Sequence, residues 1–170
     1  SSATRYGLQC MTGLRSLKSL GNINRPAVLK LFDEKGDIFY VTLSALDDNT
    51  AKINFAHEER IVSINEIESL WLGDFTLLWR PPSGFSRSFR AGHEGPEVNW
   101  LRASMALINM SALQEPVSMI YDNDLEREVK KFQITEGLVP DGIVGPLTVV
   151  HINTAVDSEV PTLSGIKEKN

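Results

Sequence analysis

The chain has 170 residues, of which 42% are hydrophobic and 23% charged, with a formal net charge of −5 and a single cysteine. This length accommodates one ordinary domain or two small ones. The acidic second half argues against nucleic acid or an anionic membrane as its partner, and the lone Cys10 excludes an internal disulfide and a thiol-rich metal site. We expect Cys10 to pack as a small apolar group beside Leu8 and Met11.

Charge is distributed unevenly along the chain. Residues 1–93 carry eleven Lys/Arg and ten Asp/Glu, whereas residues 94–157 carry four Lys/Arg and ten Asp/Glu. This shift predicts a domain boundary near residue 93. No apolar run approaches the roughly 20 residues that span a bilayer. Because the chain begins with Ser1 rather than methionine, we expect a processed chain or a piece of a longer protein.

Residues 1–80 predict an α+β domain. Ser63 and Glu66 form a capping box, which indicates a helix that continues to about residue 70. Mostly consecutive strands with turn-length connections favour an antiparallel sheet with helices on one side. The predicted elements in chain order are a helix at 12–20 closed by Gly21, strands at 26–32, 37–46, 51–55 and 60–62, the capped helix, and a closing strand at 75–79.

The rest of the chain predicts a linker, three helices and a tail. Residues 81–93 contain proline, glycine, serine and arginine, which indicate a linker or an arm that Phe85 and Phe89 could hold against a neighbouring surface. Within residues 94–157, the first helix begins at Gly95-Pro96, the second covers 124–136 and the third covers 146–155. Residues 158–170 predict a flexible polar tail.

The stretch 126–149 holds the densest local signals. Asp124 is the predicted N-cap of the second helix, and Gly137 is placed to end that helix in the left-handed conformation. Pro140-Asp141-Gly142 predicts a tight turn, and Gly145-Pro146 opens the third helix with proline at its first position. A helix, a glycine turn and a second helix together predict a small binding scaffold.

Patterns typical of enzymes and metal sites are missing from the sequence. It contains no HExxH, GxSxG or GxxxxGK[ST] motif, and we expect neither a metal ion nor a cofactor. His57 and His93 are predicted to be solvated, whereas His151 is open to packing or to contact with a polar ligand. The spacing of four acids lacks the central glycine of a calcium loop, so helix capping and a solvated face explain them better: Asp122, Asp124, Glu126 and Glu128.

One resemblance covers about residues 94–156. The chain fills the pattern V-x-x-F-Q-x-x-x-G-L-x-x-D-G-x-x-G-x-x-T from Val129 to Thr148, and so resembles the three-helix peptidoglycan-binding domain. The family's Asp-Gly before the second helix is replaced by residues 121–124. The resemblance implies that tight turns build a cleft for stem peptide and glycan. The predicted ligand contacts are Asp141, Gly142, Val144, Gly145 and Thr148, with Gln133 and Trp100 as weaker candidates.

A second resemblance covers the first half. The segments 25–29, 39–43, 70–73 and 77–79 resemble the C39-like cysteine peptidase fold. In that family a histidine serves as general base where this chain has Phe39, and Asp-Pro stands where this chain has Asn54-Phe55. Cys10 lies downstream of the position of the family's nucleophile. The resemblance therefore implies a degenerate peptidase domain without catalytic activity, because phenylalanine cannot accept a proton.

The order of these two domains resembles the periplasmic region of the general secretion pathway protein A family of type II secretion. That family joins a cytoplasmic ATPase and one membrane helix to this region. The resemblance implies a non-catalytic, peptidoglycan-binding part of an inner-membrane protein, located in the periplasm. Its implied partners are peptidoglycan, an inner-membrane secretion protein and the secretin, which is placed through the cell wall.

Two other hypotheses stay open. The chain could be a peptidoglycan peptidase or amidase that carries its own wall-targeting domain, although the missing base and acid weigh against this. Alternatively, the first half could bind a protein partner or a second copy of the chain, with homo-oligomers as the result. The aromatic residues to consider for such contacts are Phe39, Tyr40, Phe85 and Phe89.

Overall fold

The computed structural model describes residues 2–113 and 117–163. Its contacts divide the chain into two compact units. The first, the sheet unit, runs to Trp79 and includes the chain again from Pro161. The second, the helical unit, is Arg80–Val160. This mixed architecture, an antiparallel sheet followed by a separate set of helices, confirms the predicted α+β class.

The sheet unit contains one six-stranded sheet in the order β1-β6-β2-β3-β4-β5. Every neighbouring pair is antiparallel. A short 3-10 helix, Ser2–Tyr6, precedes the first strand. The strands are β1 (Gln9–Leu14), β2 (Ala27–Phe32), β3 (Ile38–Leu46), β4 (Thr50–Phe55), β5 (Glu58–Ser63) and β6 (Trp71–Trp79).

Side chains alternate between the two faces of the sheet, as the two-residue period of a strand requires. Leu29, Leu43 and Leu77, which come from three different strands, are almost completely buried on one face. Burial of these apolar side chains is the main stabilising contribution to the unit. Gly73 in β6 has a φ of +98°, and a Cβ at this position would lie 2.9 Å from the carbonyl oxygen of Arg15.

Two short helices connect the strands. Helix α2 (Ile64–Leu70) begins at the complete capping box of Ser63 and Glu66, which confirms that prediction. Helix α1 covers Leu17–Ile23. The prediction of a helix at 12–20 is therefore wrong. Residues up to Leu14 are instead paired with β6, Ser16 caps the helix, and Asn24 ends it with a φ of 56°. Gly21 therefore lies inside the helix.

The helical unit contains α3 (Pro96–Ile108), α4 (Asn123–Thr135) and α5 (Pro146–Val156). Proline opens both α3 and α5 after a glycine N-cap, as predicted, because the first helical N–H has no intrahelical partner to lose. The three helices share one apolar core. Its fully buried members include Val98, Leu101, Leu125, Val129, Val149, Val150 and Ile152.

Both ends of α4 are fixed by local hydrogen bonds. The N-cap is Asp122, whose carboxylate accepts from the N–H of Leu125 at 2.9 Å, so the predicted N-cap at Asp124 is wrong by two residues. At the other end Gly137 has a φ of 69°, as predicted. The N–H groups of Gly137 and Leu138 bond back to the carbonyl oxygens of Ile134 and Gln133 in a Schellman motif.

Residues 80–93, which we call the strap, pack within the helical unit. Phe89 is 4% exposed and forms an isolated antiparallel bridge with Val144. In the predicted tail, Leu163 is buried and its N–H bonds to Asn24 of the sheet unit at 3.0 Å. Residues 164–170 of that tail lie outside the described residues. Within residues 2–113 and 117–163, every helix is too short or too polar to span a membrane.

Candidate functional site

A groove of about 240 Å³ lies where the chain passes from α4 into α5. Three segments build it: the last turn of α4, the loop that follows, and the first turn of α5. Part of its wall is apolar and exposed, since Val139 keeps 74% of its surface accessible. The lining residues are Gln133, Leu138, Val139, Asp141, Ile143, Gly145, Pro146, Leu147 and Thr148.

The side-chain amide of Gln133 holds this loop in shape. Its Oε1 accepts from the N–H of Gly142 at 2.9 Å. Its Nε2 donates to the Asp141 carboxylate and to the Ile143 carbonyl oxygen, each at 3.1 Å, and lies 3.4 Å from the Thr148 hydroxyl. Gln133 is 1% exposed, so both ends of a buried amide are satisfied by the loop itself.

Asp141 presents a carboxylate at the groove. Its Oδ1 accepts from the N–H of Ile143 at 2.8 Å as well as from Gln133, which closes the predicted turn. Within the described part of the chain, its Oδ2 accepts no hydrogen bond. The residue is exposed, so this second oxygen can accept from a ligand.

The first turn of α5 supplies backbone donors. Gly145 is the N-cap and no side chain caps the helix. The first N–H groups of a helix have no intrahelical acceptor and carry the positive end of its dipole. Because Gly145, Leu147 and Thr148 line the groove, this end favours a carbonyl or carboxylate oxygen of a ligand. The Thr148 hydroxyl donates to the Ile143 carbonyl oxygen at 3.3 Å.

Two predicted contact residues are placed differently. Gly142 and Val144 are buried and do not line the groove. Both backbone groups of Val144 bond to Phe89, and those of Gly142 bond to Gln133 and to the Tyr121 hydroxyl. Their backbone groups are bonded within the unit, and contact of either residue with a ligand stays a prediction. Their bonds fix the loop, and Gly142 is required there by its φ of 72°.

Tyr121 is a residue of this site that the sequence alone does not predict. Its hydroxyl donates to the Gly142 carbonyl oxygen at 2.7 Å, and the residue is fully buried. Burial raises the pKa of Tyr121, and the Glu126 and Asp141 carboxylates raise it further. The hydroxyl therefore remains a donor. The only signal in the sequence is an aromatic residue directly before the N-cap of α4.

Trp100 is not brought to the groove. It lies on α3, is half-buried and does not line the groove. Contact between Trp100 and a ligand stays a prediction, and this groove does not provide for it. Asp141, Gly145, Thr148 and Gln133 are brought together, with Gln133 beneath the loop.

The three histidines differ in their surroundings. His57 is exposed with a φ of 69°, as expected for a solvated turn. His93 is not simply solvated, because its Nε2 lies 2.5 Å from Oε1 of the buried Glu97. His151 is 3% exposed, and its Nδ1 lies 2.9 Å from Oε2 of Glu136.

The acidic residues around α4 serve as caps and surface ion pairs. The Leu125 N–H and Arg102 hold the pKa of Asp122 below its ordinary value. Asp124 pairs with Arg127. Residues 2–113 and 117–163 contain no group of three His, Cys, Asp or Glu side chains that could hold a metal ion.

The sheet unit places the remaining candidates in a β-sheet context. Phe39 packs edge-to-face on Phe55 with ring centroids 5.6 Å apart. The side-chain amide of Asn54 donates to the Ser44 hydroxyl at 3.2 Å. Cys10 is exposed on β1, so the expectation that it packs as a buried apolar group is wrong. Its strand lies at the edge of the sheet, where fewer neighbours cover a side chain.

Comparison with known proteins identifies the helical unit. Residues 94–152 match the family described as "Putative peptidoglycan binding domain". The chain is 32% identical over 163 residues to general secretion pathway protein A of Aeromonas hydrophila, a match that covers 95% of this chain and 29% of that protein. The chain thus spans about three tenths of the length of this relative.

One solved structure shows the same fold as this chain. A periplasmic domain of the EpsAB fusion protein of the Vibrio vulnificus type II secretion system superposes with a TM-score of 0.62 and 23% identity, over 93% of this chain and 67% of that one. The N-terminal peptidase C39-like domain of a toxin secretion ATP-binding protein from Vibrio parahaemolyticus covers 47% of this chain and 65% of its own, with 18% identity and a TM-score of 0.39. The fold assignment rests on the first of these.

Proposed function

Because residues 94–152 form a domain of the peptidoglycan-binding family, we propose that this chain binds peptidoglycan through the groove between α4 and α5. The observation that carries the proposal is the location of the groove within the family-matched segment. It lies at the loop where the motif residues Gln133, Asp141, Gly145 and Thr148 come together.

The chemistry of the groove suits a fragment of the cell wall. Stem peptides and N-acetylated sugars combine amide and carboxylate groups with small apolar groups. Val139 and Leu147 offer apolar contact, the uncapped end of α5 offers N–H donors, and Asp141 offers an acceptor. A site with one carboxylate and a few backbone donors predicts modest affinity, since specificity comes from a few placed polar groups rather than from strong charge attraction.

We assign different roles to the predicted residues. Asp141, Gly145 and Thr148 line the groove and contact the ligand, while Gln133 holds the loop that carries them. Gly142 contributes through the backbone conformation of the loop.

The sheet unit is proposed to be non-catalytic. Phe39 stands where the C39-like family has its general base, and a phenyl ring accepts no proton. The contact of Phe39 with Phe55 is a packing interaction between two apolar side chains.

The cellular role follows from similarity to part of a longer protein. The Aeromonas relative is a general secretion pathway protein A, and the solved Vibrio domain is periplasmic and belongs to a type II secretion system. We infer that this chain works in the periplasm as part of an inner-membrane protein. There it holds peptidoglycan and, with an inner-membrane partner, assists insertion of the secretin through the wall.

Co-sedimentation of the whole chain with purified sacculi tests the binding function. Two single substitutions of exposed apolar residues make a matched pair. Val139→Glu places a carboxylate on the groove wall, whereas Ile134→Glu places one on α4 outside the groove lining. We expect Val139→Glu to weaken binding about tenfold, equal to about 1.4 kcal/mol, and Ile134→Glu to bind as the unchanged chain does.

Two results would contradict the proposal. If the unchanged chain stays in the supernatant at every protein concentration, the groove does not bind peptidoglycan. If the chain releases soluble muropeptides and Cys10→Ala abolishes that release, the protein is a wall hydrolase. Because Cys10 is exposed, its thiol is accessible, and the Cys10→Ala variant tests its role directly.

A further inference from the structure

We propose that the strap is a working part of the peptidoglycan-binding unit, with Phe89 as a positioning residue that fixes the conformation of loop 141–145. The strap, residues 80–93, precedes the residues 94–152 that match the family. The inference rests on the proposed function for the meaning of the groove. The tie between strap and loop can be tested without a ligand.

The first link is a backbone bridge. The N–H of Val144 donates to the Phe89 carbonyl oxygen at 2.8 Å, and the N–H of Phe89 donates to the Val144 carbonyl oxygen at 3.2 Å. Both residues are buried, Val144 completely. Buried backbone groups need partners, so the conformation of the loop at Val144 depends on the strap remaining in place.

The second link is aromatic. The ring of Phe89 meets the ring of Tyr121 edge-to-face, with centroids 5.9 Å apart and planes at 70°. The Tyr121 hydroxyl in turn donates to the Gly142 carbonyl oxygen. Phe89 therefore acts on the loop twice, directly at Val144 and through the orientation of the tyrosine ring at Gly142.

The strap also approaches the groove-lining residue Gly145. A Cβ at this position would lie 3.0 Å from the hydroxyl oxygen of Ser88. A side chain at this position would be limited by the strap rather than by the backbone, because the φ of Gly145 is −98° and suits any residue. The Ser88 side chain would have to move slightly to admit it.

The strap is itself fixed by the helical unit. The N–H of Gly92 donates to the Tyr121 carbonyl oxygen, and the N–H of Tyr121 donates to the His93 carbonyl oxygen, both at 2.8 Å. At the start of the strap, the Asn153 amide donates to the Arg80 carbonyl oxygen at 2.8 Å. With both ends held, the strap provides a fixed support for the loop.

Such a support matters for binding because a loop that is already ordered loses less conformational freedom when it takes a ligand. Gln133 holds the loop from within the family-matched segment, and Phe89 holds it from outside. A ligand that contacts Gly145 and Asp141 therefore binds to a loop that both Gln133 and Phe89 hold in place. The functional boundary of the binding unit therefore lies upstream of residue 94.

Phe89→Ala in the whole chain tests the tie, measured by amide hydrogen exchange and by sacculus co-sedimentation. We expect exchange at Val144 and Gly142 to become about tenfold faster and sacculus binding to become several-fold weaker, while the amide of Phe132 in α4 is unchanged. Phe89→Leu keeps an apolar side chain at the bridge and should recover most of both signals. Met105→Ala, a truncation in α3, is the control for general loss of stability.

The outcomes are distinct. Exchange at Val144 unchanged in Phe89→Ala would overturn the inference. So would an equal loss of sacculus binding in Met105→Ala, because binding would then follow stability alone. If the unchanged chain does not bind sacculi, the proposed function fails, and exchange at Val144 alone supports or overturns the tie between strap and loop.

Discussion

The two units keep their polar groups in different places. Among the described residues, the sheet unit buries one polar side chain, Arg25. The helical unit buries five, namely Glu97, Ser104, Gln133, Thr148 and His151. A buried polar group is costly unless its partners are in place, so it favours one arrangement of the chain over the alternatives. The groove lies in the helical unit, where most of these buried polar side chains are found.

The same contrast appears between two turns built on an aspartate. Asp47 in the sheet unit and Asp141 in the helical unit each accept a hydrogen bond from a backbone N–H two residues later. At Asp47 the turn is exposed and only joins two strands of a hairpin. At Asp141 the same carboxylate oxygen also accepts from the buried amide of Gln133. The buried amide converts an ordinary turn into a loop with a defined shape.

Removal of the buried amide of Gln133 should have the largest effect. Gln133→Met keeps an unbranched side chain of similar size but leaves the Gly142 N–H without its acceptor. We expect a loss of about 3 kcal/mol in unfolding free energy, because a buried unsatisfied N–H and the lost donors each carry a cost. Denaturant titration of the whole chain, with sacculus co-sedimentation of the folded variant, measures both effects.

A variant that retains an acceptor gives the control for Gln133. Gln133→Glu can still accept from Gly142 but places a second carboxylate beside Asp141. Its ionised form should be destabilising at neutral pH, and acidification should recover part of the loss as the new carboxyl group is protonated. If both variants unfold at the same denaturant concentration as the unchanged chain, the buried amide does not hold the loop.

Two glycines with positive φ, one in each unit, should differ in the cost of their substitution. Gly73→Ala in the sheet unit and Gly142→Ala in the helical unit each force a side chain into the left-handed region, at a cost of about 1–2 kcal/mol. At Gly73 the new Cβ also meets backbone, the Arg15 carbonyl oxygen at 2.9 Å, whereas at Gly142 it meets the flexible Glu126 side chain at 2.8 Å. Gly73→Ala should therefore lose more stability.

The order of the two variants should be reversed when loss of sacculus binding is compared instead of loss of stability. Gly142 lies in the loop that shapes the groove, so Gly142→Ala should weaken sacculus binding although it costs less stability. Gly73→Ala should bind normally below its unfolding transition. Thermal unfolding and co-sedimentation measured on the same samples decide this, and weaker binding by Gly73→Ala would show that the sheet unit takes part.

Local signals in the sequence were sufficient for several elements. The capping box at Ser63 and the starts of α3 and α5 at Gly95-Pro96 and Gly145-Pro146 are confirmed, because each signal lies within one helical turn. The left-handed conformation of Gly137 is confirmed for the same reason, and Gly142 in the predicted turn has a φ of 72°. These features depend on neighbouring residues alone.

Features that depend on distant residues could not be predicted in this way. Residues 9–14 form a strand because they pair with β6, where Cys10 lies opposite Leu78. The apolar spacing that favours a helix at 12–20 carries no information about this pairing with β6. The bridge from Phe89 to Val144 is equally remote in sequence, so the strap looked like a linker.

The site shows the same limit. Asp141, Gly145 and Thr148 of the motif lie together at one groove, but the motif does not separate residues that line the groove from residues that support it. Gly142 and Val144 were expected to contact a ligand and instead have their backbone groups bonded within the unit. Whether a residue lines or supports the groove depends on its burial. The burial of Gly142 and Val144 depends on their contacts with Tyr121 and Phe89.

A smaller effect is expected at Tyr121. Tyr121→Phe removes the hydroxyl that donates to the Gly142 carbonyl oxygen at 2.7 Å and leaves the ring packing unchanged. We expect a loss of about 1 kcal/mol in unfolding free energy and a faster amide exchange in loop 141–145. Tyr40→Phe, which removes a hydroxyl from a largely exposed residue of the sheet unit, is the matched control and should be neutral.

The smallest effect concerns pH and the N-cap of α4. The Leu125 N–H holds the pKa of Asp122 below its ordinary value of 3.8, so the ionised carboxylate stabilises the folded chain above that pH. This contribution is lost as the pH falls through the lowered pKa of the folded state. Because the Asp122 side chain is 47% exposed, solvent screening limits it to about 0.5 kcal/mol.

Asp122→Asn isolates this term, because asparagine still caps the helix but does not ionise. The stability difference between the unchanged chain and the variant should be largest from pH 5 to 7 and should shrink below about pH 3.8. Asp47→Asn is the counterpart in the sheet unit, where backbone N–H groups also lower the pKa of the aspartate. Denaturant titrations in these two pH ranges should show that the difference in unfolding free energy for Asp122→Asn becomes smaller at low pH. A difference that persists at low pH would mean that the cap does not depend on ionisation.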